Sequence, residues 1–362
     1  MNKALEQAAQ ALFLSSPNPR VGCVIVDASG QIIGQGFTQQ AGGAHAEVMA
    51  LRDAAARGND VHDATAYVTL EPCSHQGRTG PCCDALVAAG IGKVVGALTD
   101  PNPQVAGRGF ERLRAAGVEV EVGIGAAESR ELNLGFFSRM IRSTPWVRMK
   151  AASSLDGVTA LHNGTSQWIT SAPARADGHA WRARACTILT GIGTVLEDNP
   201  RLNVRELETP RQPRIAVVDS KLDMPLDAHV LKAPSGCLIY TSSQNQSRIN
   251  ALQALGATVI DMSNAAGKVD LAAMLRDLAQ RGTNELHVEA GFKLNGSFIR
   301  EGLVDEFLFY QAPKLLGTGA MGIANFGPLD ALTQGVDLEF HDITRLGPDL
   351  RIIARVQGRD QF

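Results

Sequence analysis

Apolar positions at the start of the chain recur at helical spacing. Leu5, Ala8, Ala9 and Leu12 share one face, and Glu6, Gln7 and Gln10 lie off it. This spacing predicts an amphipathic helix over Met1–Leu14. The pattern then shortens to strand-length apolar runs near Val21–Val26 and Ile32–Phe37, and returns to helical spacing over His45–Arg57. Strand Ala66–Leu70, a helix from Cys82 that buries Leu86 and Val87, strand Lys93–Leu98, helix Gly107–Ala116, strand Val118–Val122 and helix Ala127–Met140 follow. Ser143-Thr144-Pro145 breaks the alternation, because proline removes a backbone donor and biases the residue before it to extended backbone. A domain boundary is placed there, giving domains 1–143 and 144–362.

The alternation restarts with strand Trp146–Ala151, helix Ala172–Arg184, strand Thr187–Thr190, strand Arg214–Val218 and strand Gly236–Tyr240. Helix Ser247–Leu255, strand Thr258–Ile260, helix Leu271–Gln280, strand Glu285–Glu289, helix Phe292–Glu301 and strand Glu306–Tyr310 continue it. A terminal pair of strands around Leu338–Leu346 and Arg351–Val356 gives this half an antiparallel end. Both halves read as layered α/β domains. There is no internal repeat and no low-complexity stretch, and Arg205–Pro213 is a polar, proline-bearing loop.

A chain of 362 residues suits two domains. Its net charge of −3 argues against a carrier of nucleic acid, since neutralising many phosphates takes a basic surface. The first helix lacks the continuous apolar core of a signal peptide, and no apolar run approaches the roughly 20 residues that span a bilayer. A cytoplasmic protein without membrane or nucleic-acid partners is expected. The six cysteines do not form a disulfide framework in so long a chain, and Cys23, Cys186 and Cys237 sit in apolar runs as packed thiols.

The chemistry concentrates in His45-Ala46-Glu47, Pro72-Cys73 and Cys82. One imidazole and two thiolates bind Zn²⁺ while leaving its fourth tetrahedral position open for a water, whose pKa falls to roughly 7. A glutamate beside the metal that is not a ligand then carries protons, as in zinc deaminases of nucleobases. The usual two cysteines are three apart, whereas Cys73 and Cys82 are nine apart, with Ser74 to Pro81 between them. Cys83 competes with Cys82, but neighbours on one helix point about a hundred degrees apart, so Cys82 is assigned and Cys83 goes to the core. His75, inside the loop, receives no metal role. Each residue alone could be a core side chain, but a structural zinc site needs no adjacent carboxylate and closes with four protein ligands.

The second half is less explicit. Thr190-Gly191-Ile192-Gly193-Thr194 follows one strand, and Glu289-Ala290-Gly291 follows another and opens a helix, where backbone amides can hold a phosphate. The first is not a dinucleotide fingerprint, because Leu196 stands at its third glycine position. Ser166, Trp168, Arg182, Arg184 and Arg205 offer hydroxyl, stacking and guanidinium groups for an anionic ring-bearing substrate. Lys150 and Asp198 lie near the ends of elements. From the residues alone this half binds a phosphate-bearing ligand of nucleotide type.

Across nearly its whole length the chain resembles the bifunctional deaminase-reductases of riboflavin biosynthesis. The resemblance rests on Ser16-Pro17-Asn18-Pro19-Arg20-Val21-Gly22, His45-Ala46-Glu47, Thr69-Leu70-Glu71-Pro72-Cys73-Ser74-His75 and Asp100-Pro101-Asn102-Pro103. It continues through Ser154-Leu155-Asp156-Gly157, Ser166-Gln167-Trp168-Ile169-Thr170 and Gly193-Thr194-Val195 with Asp198 and Pro200. It implies a cytidine-deaminase-like three-layer domain followed by a dihydrofolate-reductase-like domain. One Zn²⁺ per chain and NADPH are the implied cofactors, a phosphoribosyl pyrimidine the implied substrate, and a homo-oligomer is compatible with it.

Residue by residue, the resemblance implies His45, Cys73 and Cys82 as ligands, Glu47 as acid and base, and Asn18 on the pyrimidine edge. For the reductase it implies NADPH contacts at Ala152, Trp168, Thr194, Asp198 and Ser220, and along Gly291, Phe292, Lys293, Leu294, Asn295, Gly296 and Ser297. Ser166, Arg182, Leu202, Arg205 and Glu289 are the implied substrate contacts. The two arginines would grip the phosphate bidentately, and Lys150 would stand near the reacting sugar carbon. No strongly perturbed acid–base pair is expected there, because the hydride belongs to the cofactor. The chain departs from the family pattern at Gly80, usually Pro, and at Ala290, usually Gly. A methyl at Ala290 would weaken NADPH binding if its backbone needed positive φ. The alternative function is a zinc deaminase of another nucleoside or base with a silent second domain.

Overall fold

The computed structural model describes residues 1–75, 80–103 and 105–362, which fall into two compact units, Met1–Ser143 and Thr144–Phe362. The first unit runs α1 (Asn2–Gln10), β1 (Gly22–Val26), β2 (Ile32–Phe37), α2 (Ala46–Ala56), β3 (Thr65–Val68), α3 (Cys82–Ala88) and β4 (Lys93–Gly96). It ends with α4 (Arg108–Ala115), β5 (Glu119–Val122), α5 (Ala126–Leu132) and α6 (Leu134–Arg142). Its described strands form one sheet in the order β2-β1-β3-β4-β5, antiparallel at β1 and parallel from β3 onward.

Two glycines bring helices onto opposite faces of this sheet. A Cβ on Gly22 would stand 1.9 Å from the Ala4 carbonyl oxygen of α1, and one on Gly36 would stand 2.6 Å from the Ala50 nitrogen of α2. Gly36 pairs with Cys23, the neighbour of Gly22, and successive residues of a strand face opposite sides, so a three-layer unit results. The single helix expected over Ala127–Met140 is two helices. Asn133 interrupts it with φ −121°, because its side chain bonds the backbone of Arg20 in both directions, at 2.8 and 3.0 Å. This pins the segment that carries Asn18.

The second unit begins with β6 (Trp146–Ser154), β7 (Val158–Ala160), α7 (Ala172–Arg184), β8 (Thr187–Gly191), α8 (Ile192–Asp198), β9 (Arg214–Val218) and β10 (Cys237–Thr241). It continues through α9 (Gln246–Ala254), β11 (Thr258–Asp261), α10 (Leu271–Gln280), β12 (Glu285–Val288), α11 (Phe292–Arg300) and β13 (Glu306–Ala312). The last elements are β14 (Met321–Gly322), β15 (Leu338–Leu346) and β16 (Asp349–Val356). The main sheet has the order β11-β10-β9-β8-β12-β6-β13-β16-β15, parallel except for the pairs made by β16.

Strand β12 inserts between β8 and β6, so consecutive connections diverge from this point, and ligands of open parallel sheets bind outside the carboxyl ends at such a crevice. The buried apolar core divides into clusters built on Met149, Leu286 and Phe298, and on Ile188, Ile215 and Val230. Between β12, β6 and β13, buried Arg148 bonds Glu285 at 2.8 Å and also Glu306, which Arg355 meets at 3.0 Å. Burial of these charges is tolerable only because each is paired. No helix among the described residues is long and apolar enough to cross a membrane.

Candidate zinc and reductase sites

In the first unit, three helix starts and one strand end converge. Strand β3 delivers Thr69-Leu70-Glu71-Pro72-Cys73. The buried Glu71 carboxylate accepts the backbone N–H groups of Asp100, Gly107, Gly109 and Phe110 at 3.0, 2.8, 2.8 and 3.4 Å. It thus caps α4 and fixes the loop that ends in Cys73, a favourable place for a carboxylate at a positive helix end. His45 is the residue before α2, Glu47 lies in the first turn of α2, and Cys82 is the first residue of α3.

The His45 Nδ1 atom lies 3.5 Å from Cys73 Sγ and 3.3 Å from Cys82 Sγ, and all three atoms are within 4.8 Å of one another. A tetrahedral metal with ordinary Zn–N and Zn–S bonds requires N-to-S separations of about 3.6 Å, so the cluster fits a zinc ion. The sulfurs titrate as a pair. Hydrogen bonding from Cys82 lowers Cys73 to about 4, and the same bond with burial raises Cys82. A divalent cation bound here would replace that shared proton and be held by both sulfurs as thiolates. Cys83 stands outside the cluster, its Sγ 3.8 Å from an Asp84 oxygen.

Glu47 is 3% exposed, and burial, with the neighbouring Cys73, pushes its pKa up to about 7. It lines a cavity of about 490 Å³ together with His45, Cys73, Asn18, His75 and Asp100. Asn18 is held there by the bond from its N–H to the Ser15 carbonyl at 2.9 Å. Residues Gln76 to Thr79 of the long inter-cysteine loop lie outside the described residues.

In the second unit Arg182, on α7, meets Glu289, just past β12, through two parallel bonds of 2.6 and 2.8 Å. Its third bond goes to the Asn203 carbonyl at 3.2 Å. Burial alone would raise Glu289, but the Arg182 charge and hydrogen bonds, with help from His287 and Lys150, hold it well below the usual carboxylate range. Lys150 on β6 is lowered by burial, with Glu289 opposing and Arg182 aiding the shift. A perturbed Lys150–Glu289–Arg182 group therefore exists where none was expected. The Arg182 fork bonds Glu289, and Arg205 is an exposed side chain that pairs with Glu206 at 3.7 Å.

Two helix starts meet at the carboxyl ends of β8 and β12. A Cβ on Gly291 would lie 3.6 Å from Thr194 Oγ1, and one on Gly191 would lie 3.2 Å from the Leu294 side chain. Ser220 follows β9, and its carbonyl accepts the Ser242 hydroxyl at 2.9 Å. Asp198 is exposed at the end of α8, Ala152 lies on β6, and Leu202 is buried with φ +49°. Trp168 is 62% exposed with Arg175 4.6 Å above its ring, while Ser166 is half-buried close by in sequence.

Two residues of the run from Gly291 to Ser297 make contacts within the fold. Asn295 bonds the Ile323 carbonyl at 3.1 Å, and Gly296 packs so tightly on Asn325 that a Cβ would sit 1.8 Å from its oxygen. These contacts occupy Asn295 and Gly296, while Gly291, Phe292 and Lys293 stand at the start of α11.

Comparison with known proteins bears on both units. Residues 1–98 match the family model of the cytidine and deoxycytidylate deaminase zinc-binding region, and residues 145–352 match the RibD C-terminal domain. The riboflavin biosynthesis protein RibD of Escherichia coli is 43% identical, with 97% of this chain and 96% of that protein covered. The chain belongs to the RibD family. The Aquifex aeolicus member is 38% identical over 98% of this chain and 97% of its own. The solved Acinetobacter baumannii RibD (form 1) superposes with a TM-score of 0.90 at 40% identity, covering 98% and 97% of the two chains. A Thermotoga maritima structure titled as a diaminohydroxyphosphoribosylaminopyrimidine deaminase/5-amino-6-(5-phosphoribosylamino)uracil reductase gives 0.86 at 32%, with the same coverage.

Family membership makes the chain a bifunctional enzyme of riboflavin biosynthesis, with a zinc deaminase part and an NADPH-dependent reductase part. Its two departures from the RibD pattern are sterically mild. Ala290 is not among the residues with positive φ and packs against the core, and a Cβ on Gly80 would meet nothing within 4 Å among the described residues. Glu71 was missed as a site-building residue, although its place beside Pro72-Cys73 was a signal that it served the ligand loop.

Proposed function

We propose that the first unit deaminates 2,5-diamino-6-(5-phosphoribosylamino)pyrimidin-4-one, and that the second reduces the ribosyl group of the product, 5-amino-6-(5-phosphoribosylamino)uracil, to ribityl. The observation that carries the first step is the convergence of His45, Cys73 and Cys82 beside a buried Glu47. Zinc held by these three supplies a Lewis acid that makes a water nucleophilic near neutral pH. Glu47, buried beside the three ligands, takes the proton of that water and returns it to the departing ammonia. Asn18 fixes the pyrimidine edge in the cavity.

NADPH supplies the hydride for the second step, held at the converging starts of α8 and α11 by Thr194, Gly291 and Phe292, with Ser220, Ala152, Asp198 and Trp168 around it. Lys150 donates the proton that must accompany hydride addition to the sugar carbon. Its lowered pKa makes the ammonium a better donor than a solvated lysine. Glu289 keeps Lys150 placed, and Arg182 keeps Glu289 anionic. Ser166, Leu202 and Arg205 complete the substrate contacts, with the exposed Arg205 offering a cation to its phosphate.

Lys150→Met tests the reductase half. NADPH oxidation should fall at least about a hundredfold while deamination continues, and unchanged NADPH oxidation would remove Lys150 from the mechanism.

A further inference from the structure

A cavity of about 320 Å³ in the second unit belongs to neither set of assigned residues as a whole. It lies at the amino ends of β9 and β10, between Pro213 and Ile215 on one side and Ala233 and Pro234 on the other. The cofactor residues follow the carboxyl ends of the same sheet, and five residues of β9, about 16 Å of strand, separate the two levels.

Arg201, His229 and Lys232 line it, and no carboxylate does. Neither Arg201 nor Lys232 takes part in an ion pair or side-chain hydrogen bond among the described residues. His229 donates its Nδ1–H to the Asn199 carbonyl at 2.8 Å, so Nε2 is its remaining polar atom. Asn203 also lines the cavity, and its Oδ1 is buried without a hydrogen-bond partner, a cost that an incoming donor would remove. The demand is thus for negative charge and a hydroxyl donor on one small molecule, beside an apolar wall of Leu202, Pro213 and Ile215.

We propose that this cavity is a second anion site that takes a small hydroxylated phosphate monoester of the sugar-phosphate class, and that its occupancy tunes the reductase. The coupling path is short. Gln212 clamps Val204 through bonds to its N–H and carbonyl at 2.8 and 3.0 Å, and the Asn203 carbonyl accepts Arg182. One loop therefore forms the cavity wall, carries Leu202 and Arg205, and supports the arginine that holds Glu289. This regulatory part rests on the proposed reductase site, whereas binding itself does not.

The test titrates full-length, zinc-loaded protein with ribose 5-phosphate by calorimetry. Wild type, Arg201→Ala/Lys232→Ala and Arg205→Ala are compared. The double variant, altered only at exposed side chains, should lose one site that Arg205→Ala retains, and the same stoichiometry in wild type and double variant would overturn the proposal. Loss of all binding in Arg205→Ala would overturn it as well. If Arg205→Ala binds like wild type while the double variant binds nothing, the cavity stands and the phosphate role of Arg205 fails. Sulfate, which has no hydroxyl to donate, should bind the cavity about tenfold more weakly; equal affinity would refute the hydroxyl requirement. With the cavity filled, the reductase KM should shift about fivefold in wild type and stay fixed in the double variant. Deamination should stay constant in both, and an equal KM shift in the double variant would refute the coupling.

Discussion

Replacing Glu47 with glutamine keeps the shape of the site and removes one titrating group, so its consequences separate. The carboxyl hydrogen-bonds Cys82 but is not itself one of the three ligands, so zinc should remain at one per chain. Deamination should fall by about 10²–10⁴, the usual worth of a positioned acid–base group, or about 3–5 kcal/mol of barrier. Stability should move the other way. In the metal-free protein burial, then the nearby Cys73, raises Glu47 from 4.5 to about 7. The folded state therefore binds more protons than the unfolded chain between those values, and stability falls as pH rises through that window. A shift of this size corresponds to about 3 kcal/mol lost by pH 8, an upper bound that glutamine would restore. Scanning calorimetry of metal-free wild type and variant at pH 5 and pH 8 measures it. Tryptophan fluorescence would not, since Trp146, Trp168 and Trp181 all lie in the second unit. Normal turnover, lost zinc, or an equal pH dependence in the two proteins would refute the reasoning.

Four further substitutions probe the supporting structure. Cys82→Ser should abolish stoichiometric zinc while Cys83→Ser keeps it, and metal analysis with the opposite pattern would exchange their roles. Glu71→Ala strips four backbone N–H groups, three of them buried, of their acceptor; it should cost at least about 2–3 kcal/mol and weaken zinc binding, seen as faster loss to a chelator. Arg182→Ala leaves Glu289 as a buried, poorly compensated anion. It should destabilise the second unit by about 3–5 kcal/mol and lower reductase kcat as well as raise KM, with zinc-dependent deamination intact. A change in KM alone would restore Arg182 to a purely phosphate-binding role.

The zinc cluster was legible because its residues are chemically distinctive and each sits at the start or end of a short element whose pattern is local. His45 and Glu47 are two apart, and the helix that Cys82 opens shows its buried face in Leu86. What the pattern could not show is non-local. Arg182 and Glu289 are 107 residues apart, and either reads alone as a surface charge or a ligand contact. The split at Asn133 depends on Arg20, 113 residues earlier, and helix propensity does not register such a partner. The insertion of β12 between β8 and β6 likewise follows from how faces pack, since all three strands are apolar runs of similar kind. Helix α8 was missed because Gly191-Ile192-Gly193 reads as a turn, and glycine inside a helix runs against its propensity.

The central claim is that one chain performs two successive reactions on the same phosphoribosyl pyrimidine. It is tested most directly by the mass of the product after zinc-loaded protein is incubated with 2,5-diamino-6-(5-phosphoribosylamino)pyrimidin-4-one, first without and then with NADPH. Exchange of an amino group for oxygen is expected without NADPH, and a further gain of two hydrogens once NADPH is present. Exchange that is never followed by hydrogen gain would contradict the reductase assignment, and an unchanged mass in both incubations would contradict the whole.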